Sequence, residues 1–282
     1  MSKHKLLSLY GLEWSPFGPQ LPVEAIRITG QIDRFVWRVE QLATDGGFAM
    51  ITGDLGTAKS VIMRLLESRL SDIRDVALCP LTRPQSGIGD FYRELGEAFG
   101  APISASNRWG GFKLLREKWK AKLESSLRRP LVLAGEAQQM QPAVLSELRL
   151  LASDHFDSNS LLTVVLAGDG RLTDMLRHDE LIPLGSRIRT RLVLDPMPAD
   201  EIVSAIEHAI TQAGNAHLMT KPLMQTIAEQ AVGNWRAAMN VAQELLLAAA
   251  VEERSELDEQ LFFDVFGGAT KPRRRPRRGK AS

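Results

Sequence analysis

The sequence has almost no cysteine. Cys79 is the only one in 282 residues, so no internal disulfide can form and a disulfide-stapled fold is excluded. It lies in the apolar run Val76-Ala77-Leu78-Cys79, where a thiol serves as a small buried hydrophobe, and that usage fits a reducing compartment. Long apolar runs are missing too. No window approaches the roughly 18 to 20 apolar residues of a membrane-spanning helix, and even LLTVVLAG near residue 161 has polar flanks. The opening MSKHKLLSLYGLEWSPFG carries two early lysines, but its apolar stretch is short and broken by Gly11 and Glu13, which does not make a signal peptide. A soluble, cytoplasmic protein with no membrane partner is expected. His155, His178, His208 and His217 stand at no ligand spacing with a cysteine cluster, so zinc is not expected. No internal repeat is visible.

What is present reads as ordinary globular usage, with 44% apolar and 24% charged residues, which excludes collagen-like and low-complexity chains. A chain of this length can bury a substantial core in one large domain or in a medium domain with a small companion. The net charge of +1 hides an asymmetry. Lys271, Arg273, Arg274, Arg275, Arg277, Arg278 and Lys280 form a stretch without acids, and removing these seven leaves the rest at −6. Residues 269–282 are expected to be a disordered basic tail that neutralises DNA phosphates without sequence preference; a merely solubilising terminus is the plain alternative.

Along the chain, residues 1–30 hold Pro16, Pro19 and Pro22 among aromatics and are expected to be an extended arm packed by Tyr10, Trp14 and Phe17. Ile32, Phe35, Val36, Val39, Leu42 and Ala43 recur at helical spacing, stopped by Asp45-Gly46-Gly47. Buried strands are predicted at Phe48 to Thr52, DVALCPL, PLVLAG near 130, LLTVVLAG near 161 and TRLVL near 190. Helices are predicted between them at Lys59 to Leu70, Gly87 to Phe99, Gly111 to Leu127 and Pro142 to Ser153. This alternation implies a parallel sheet with right-handed crossovers, hence a three-layer α/β core over 31–196. After Pro196 only helices are predicted, at Ala199 to Ala213, Thr220 to Val232, Trp235 to Glu252 and Asp258 to Phe266, forming an all-helical domain over 197–268. Thr220 is the expected N-cap of the second, with Pro222 in its first turn and Gly214 and Gly233 as helix stops.

The strongest chemical signal follows the first strand and opens a helix: Gly53-Asp54-Leu55-Gly56-Thr57-Ala58-Lys59-Ser60. In that context the loop amides and the helix N-terminus surround a phosphate, Lys59 reaches β- and γ-oxygens, and Ser60 can ligate Mg²⁺. ATP with Mg²⁺ is the expected ligand. The pattern G-x-x-x-x-G-K-[ST] asks for glycine at Ala58, whose Cβ would crowd the phosphate or strain the loop by about 1 kcal/mol. A second site, Leu131-Val132-Leu133-Ala134-Gly135-Glu136-Ala137-Gln138, ends another strand. P-loop ATPases place an aspartate there beside Mg²⁺, followed by a glutamate that orients the attacking water. Gly135 occupies the aspartate position. Glu136 stands where the base is expected, with a surface glutamate at a strand end as the alternative, so nucleotide binding is the firmer expectation and turnover the weaker one.

With these residues in place the chain resembles AAA+ ATPases, and among them the ExeA-like group that includes ATP-binding helpers of DDE transposases such as MuB, TnsC and IstB. The resemblance runs from Tyr10 to Phe266 through YGLEWSPF, GGFAMITGDLGTAKS, LVLAGEAQQMQPAVLSELRLL, LLTVVLAGDGRLTDMLR and LGSRIRTRLVL. It implies a P-loop core with a helical lid and ATP where the two meet. It also implies that Asp169 senses the γ-phosphate, unless it is an ordinary turn aspartate. Arg187 would be the arginine finger for a neighbouring subunit, with Arg189 as competitor, and Arg236 the second sensor, unless it is a salt-bridging surface arginine. The active unit would then be a homo-oligomer.

The resemblance leads to a transposition regulator that assembles on DNA when ATP is bound and recruits a transposase, many weak phosphate contacts adding up to avidity. The alternatives are a secretion-assembly ATPase of the same group, which usually adds a membrane helix and a periplasmic domain not found in this sequence, and a hydrolysis-deficient nucleotide-binding scaffold. Trp109-Gly110-Gly111 is either a stacking contact to DNA or an aromatic packed beside a tight turn, and Arg83 and Arg108 are offered by position and charge alone. No base-reading element is apparent.

Overall fold

A computed structural model describes residues 3–104 and 107–267. In chain order the elements begin with α1 (Lys3–Tyr10), a short 3-10 turn (Val23–Ala25), α2 (Gly30–Asp45), β1 (Gly47–Gly53), α3 (Lys59–Ser71), β2 (Val76–Leu81), α4 (Ile88–Phe99) and α5 (Arg108–Ser126). Next come β3 (Arg129–Ala134), a 3-10 turn (Ala137–Gln139), α6 (Pro142–Ala152), the two-residue strands β4 (Ser153–Asp154) and β5 (Asn159–Ser160), and β6 (Thr163–Gly168). The chain continues with α7 (Gly170–Met175), α8 (Ile182–Gly185), β7 (Ile188–Leu194), α9 (Ala199–Gln212), α10 (Lys221–Ala231), α11 (Trp235–Val251) and α12 (Glu259–Phe266).

The elements divide into two compact units, one of Ile26–Pro196, the other of the described residues up to Ala25 and from Met197 onward. In the first unit five strands form one parallel sheet in the order β2-β3-β6-β1-β7. Strand side chains alternate between faces. Phe48 and Met50 of β1 join Val132, Ala134, Val164 and Leu166 in a core with Phe91, Tyr92, Leu145 and Leu148 from α4 and α6 and Trp119 from α5. The opposite face is covered by α2 and α3, whose buried residues include Val36, Val39, Ile62 and Leu66. The expected three-layer α/β core with a parallel sheet is therefore what the chain forms. β1 pairs with β6 on one side and β7 on the other, so the chain leaves β1 at a point where the strand order reverses. The crevice at the carboxyl ends of the strands there is the usual ligand site in open parallel sheets.

The second unit is helical in its described part, apart from a Met219–Leu257 bridge. Its core joins Ile202, Ile206, Leu223, Ile227, Leu245 and Leu261. Thr220 caps α10, accepting from the Leu223 amide, with proline in the first turn. The prolines of the first thirty residues do not make the whole stretch an extended arm: it opens as helix α1, because Pro16, Pro19 and Pro22 all lie beyond that helix and leave its hydrogen bonds intact. Tyr10 and Phe17 are buried in this unit, with Trp14 packed against it. The glycine stop expected at Gly214 is in place at φ 103°, one residue after the Ala213 cap. No described helix is long and apolar enough to cross a membrane. The basic stretch Lys271–Lys280 lies outside the described residues.

Candidate functional site

Three strand ends meet at one edge of the sheet. β1, β6 and β3 are neighbours in that order, and their carboxyl ends lead into Gly53–Ser60, Asp169 and Gly135-Glu136 respectively. Residues more than a hundred positions apart are thereby delivered to one crevice.

The loop after β1 is shaped by its own backbone. Gly53 must be glycine, because a Cβ there would lie 2.6 Å from both the Leu194 carbonyl oxygen and Thr57 Oγ1. Gly56 takes φ 85°, the left-handed region that favours glycine. Ala58 also sits there, at φ 69°, ψ 16°, as the N-cap residue of α3. The crowding of its Cβ against the following carbonyl costs roughly 1–2 kcal/mol, which the rest of the loop imposes. Thr57 Oγ1 donates to the Asp54 carbonyl at 2.8 Å. Lys59 is buried, and its ammonium donates to the carbonyls of Gly53 and Asp54 at 2.7 and 2.8 Å, so the side chain folds back across the loop. Asp54 and Leu55 are exposed at the tip, as is Ser60 at the start of α3.

Lys59 and Ser60 line a half-open cavity of about 200 Å³ together with Gly135, Glu136, Arg64 and Pro80. Gly135 has nothing within 4 Å of where a Cβ would stand, so the position opposite Ser60 has room for a side chain that the sequence does not supply. Glu136 adopts φ 50°, ψ 38°, a strained backbone that aims its carboxylate at the crevice rim. Gln138, one turn on and buried, donates from Nε2 to Glu136 Oε2 at 2.7 Å and accepts from the Asp169 amide at Oε1 at 3.3 Å. Sequence reading passed over Gln138. The sequence shows only a polar residue two positions after a strand-end acid; the 3-10 turn and the burial that join it to Glu136 and Asp169 belong to the fold.

Asp169 caps α7, accepting from the Arg171 amide at 3.0 Å, and is clasped by the Arg171 guanidinium at 2.7 to 3.1 Å. That hydrogen bonding holds its carboxyl below the usual carboxylate range against the opposing effect of burial, with Lys59 adding a smaller push in the same direction. The contacts of Asp169 within the chain are those of a helix-capping turn aspartate.

The structure does not bring Arg187 to this crevice within one chain. Arg187 precedes β7 at the level of Phe48, so it lies at the amino ends of the strands, a strand length of roughly 16 Å from the loop end of β1. It is ion-paired with Asp157 and donates to the Pro183 carbonyl. Arg149, Arg187 and Arg189 together line a cavity of about 240 Å³ with Gly46, Gly47 and Asp157. Arg236 is exposed in the first turn of α11, in the helical unit.

The residues fit a triphosphate. The loop holds two left-handed residues, a backbone form that suits anion-binding turns, a buried lysine folds across it, and Ser60 lines the adjoining cavity. The fit to Mg²⁺ is thinner: among the described residues no cluster of three or more His, Cys, Asp or Glu could hold a metal, so protein ligation would rest on Ser60.

Comparisons with known proteins agree with this geometry. A family profile described as an AAA domain matches residues 42–176. The chain is 30% identical over 212 residues to General secretion pathway protein A of Aeromonas hydrophila, covering 74% of this chain and 38% of that protein; it spans well under half of that relative's length. In fold it is similar to Cdc6p of Pyrobaculum aerophilum, with a TM-score of 0.69 at 16% identity over 86% of this chain and 67% of that one. It is similar also to the Drosophila ORC structure bound to DNA, with a TM-score of 0.63 at 14% identity over 95% of this chain and 66% of that one. The fold is the P-loop AAA+ fold.

Proposed function

We propose that the chain is an ATP-binding AAA+ protein of the ExeA-like kind, with weak hydrolysis, whose nucleotide state governs association between copies. The observation that carries this reading is the meeting of Lys59, Ser60 and Glu136 around one cavity at the sheet's reversal point. Magnesium ATP would supply the activated phosphoryl group. Lys59 would exchange the Gly53 and Asp54 carbonyls for β- and γ-phosphate oxygens, the amides of residues 54–60 would hold the β-phosphate, and Ser60 would ligate the metal. Glu136, steadied by Gln138, would orient the attacking water and take its proton, and Asp169 with Arg171 would face the γ-phosphate. Arg187 is assigned to the crevice of a neighbouring copy, and Arg236 to the second sensor role.

The 30% identical secretion-pathway relative supports an assembly ATPase better than it supports a transposition helper, although it is matched over only 38% of its own length. The transposition reading, with DNA and a transposase as partners, is favoured by the basic stretch Lys271–Lys280. A cytoplasmic place for the chain fits the lone, buried Cys79.

Fluorescent ATP-analogue titration with and without Mg²⁺, paired with phosphate release, tests the reading. Binding that disappears in Lys59→Ala, with turnover that disappears in Glu136→Gln while binding persists, is expected. A chain that binds no nucleotide at millimolar concentration sinks it.

A further inference from the structure

Beyond the nucleotide site, the sheet unit carries an aromatic and basic stripe in which Trp109 and Lys113 are exposed and Arg116 and Lys120 half-buried. Outside Lys271–Lys280 the chain is net acidic at −6, yet α5 alone holds six basic residues against Glu117 and Glu124. On that helix Trp109, Lys113, Arg116 and Lys120 recur at i, i+4, i+7 and i+11, which places them on one face over roughly 16 Å of helix axis. Trp109 is 73% exposed and stacks on Phe112 at 5.7 Å. The Arg116 guanidinium lies over the same Phe112 ring at 5.3 Å and pairs with Asp154 at 2.8 Å. Asp154 also binds Lys120 at 2.7 Å. Side-chain contacts therefore run unbroken from Trp109 to the β4–β5 hairpin.

The hairpin tip is built to hold an aromatic ring in water. His155, Phe156 and Asp157 are three successive non-glycine residues in the left-handed region, at φ 46°, 55° and 68°, each at a steric cost. The turn is pinned by the Ser153 to Asp157 hydrogen bond and by the Arg187 ion pair. Its product is a fully exposed Phe156. An apolar ring held out at the expense of backbone strain points to a contact with something else. At the other end of the stripe, Arg108 is tied to the buried Glu147, which also accepts from Tyr92, and this fixes the turn that presents Trp109.

We infer that the α5 face and the hairpin tip form a docking surface for single-stranded DNA. Two exposed rings offer stacking platforms that any base can use, and the solvent-facing cations of Arg108, Lys113 and Lys120 beside them match a phosphate backbone, with Arg116 holding the surface together. Complementarity of charge selects this occupant: a second copy docked face to face would set one basic helix against another. The surface is separate from the nucleotide crevice, so the two can be tested apart.

The test is fluorescence anisotropy of a fluorescein-labelled oligothymidylate with the full chain, alongside a duplex of equal length, poly-glutamate as competitor and an ATP-analogue titration of every variant. Trp109→Ala and Phe156→Ala are each expected to weaken oligothymidylate binding about tenfold, in line with the loss of one stacked base, with duplex binding less affected and ATP-analogue affinity unchanged. Lys113→Glu should lower the salt slope by about one. Phe156 is fully exposed and Trp109 loses only its stack on Phe112, so the variants should melt within about 4 °C of the parent. Full affinity in both aromatic variants overturns the inference. So does displacement by poly-glutamate as readily as by unlabelled oligothymidylate, or a parent chain that binds no oligothymidylate, and the ATP-analogue arm then reports independently whether the nucleotide reading stands.

Discussion

Gln138 donates from its side-chain nitrogen to Glu136 Oε2 at 2.7 Å, and with its other end it accepts from the Asp169 amide at 3.3 Å. One buried amide thus bridges the ends of β3 and β6. Its position is fixed by close packing, since a Cβ on Gly168 would lie 2.7 Å from Gln138 Oε1. Replacing Gln138 with leucine keeps the bulk and removes both hydrogen bonds. Turnover is expected to fall at least about tenfold with ATP affinity within twofold, and stability to drop by about 1–2 kcal/mol for the amide left unpaired. Unchanged turnover in single-cycle phosphate release would remove Gln138 from the site.

Ala58 and Gly53 make opposite predictions in the same loop. At φ 69°, Ala58→Gly releases roughly 1–2 kcal/mol of steric strain and returns roughly 0.4–1 kcal/mol to the unfolded chain as entropy, so a net gain of about 0.5–1 kcal/mol in urea unfolding is expected. Gly53→Ala forces a methyl against the Leu194 carbonyl at 2.6 Å and should cost about 2 kcal/mol or more and abolish nucleotide binding. A destabilised Ala58→Gly variant would mean that the loop does not hold this conformation in solution.

Much of this was legible in the sequence because period and context agreed. The run from Phe48 to Thr52 ends in glycine and opens on a lysine helix, and the strand and helix alternation up to Pro196 admits little but a parallel sheet. What was not legible depends on tertiary placement. Proline positions could not show that α1 stays helical, since the prolines fall after it. The backbone strain of Glu136, the role of Gln138 and the left-handed turn that exposes Phe156 arise from neighbours distant in sequence. Trp109 reads alike as packed or exposed until Phe112 is placed beneath it.

Cys79 is expected to be inert in the native protein. It is buried in β2, and burial, aided by the nearby Glu94 carboxylate, pushes its thiol up to about 12. Thiolate is the reactive form, so at pH 8 a disulfide-exchange reagent should label it only after denaturation. The sign for stability follows. The unfolded chain releases this proton near pH 9 and the folded chain does not, so the contribution is complete below that pH and fades as pH climbs toward 12. Rapid native labelling would contradict the packing of β2.

Gly135 leaves open the side of the cavity facing Ser60, with no atom within 4 Å of the place a Cβ would take and no positive φ to resist a side chain. An aspartate there would add the metal-side carboxylate that Ser60 otherwise lacks. Gly135→Asp is expected to raise Mg²⁺-dependent turnover about tenfold or more while ATP affinity changes less than threefold, because a metal positioned at the phosphates acts on the developing charge. Equal turnover before and after, measured by phosphate release across a Mg²⁺ titration, would count against this placement of the metal.

Arg187 and Lys59 lie at opposite ends of the sheet, one level with Phe48 and the other beyond Gly53, so the two cannot serve the same phosphate within one chain. If both contribute to turnover, the arginine must act on a neighbouring copy, and that has a signature no structural role shares. Arg187→Ala and Lys59→Ala should each lower turnover by about 10³-fold, the scale of an arginine supplied to phosphoryl transfer, and mixing the two inactive variants should restore a measurable fraction. In the mixture, intact Arg187 from the Lys59→Ala copy meets an intact loop in the Arg187→Ala copy. The Asp157 ion pair that holds Arg187 sits beside Arg149, so Asp157→Asn should change the concentration at which turnover rises without changing ATP affinity. A mixture as inactive as its parts, at protein concentrations where light scattering shows association, would confine Arg187 to holding its own hairpin.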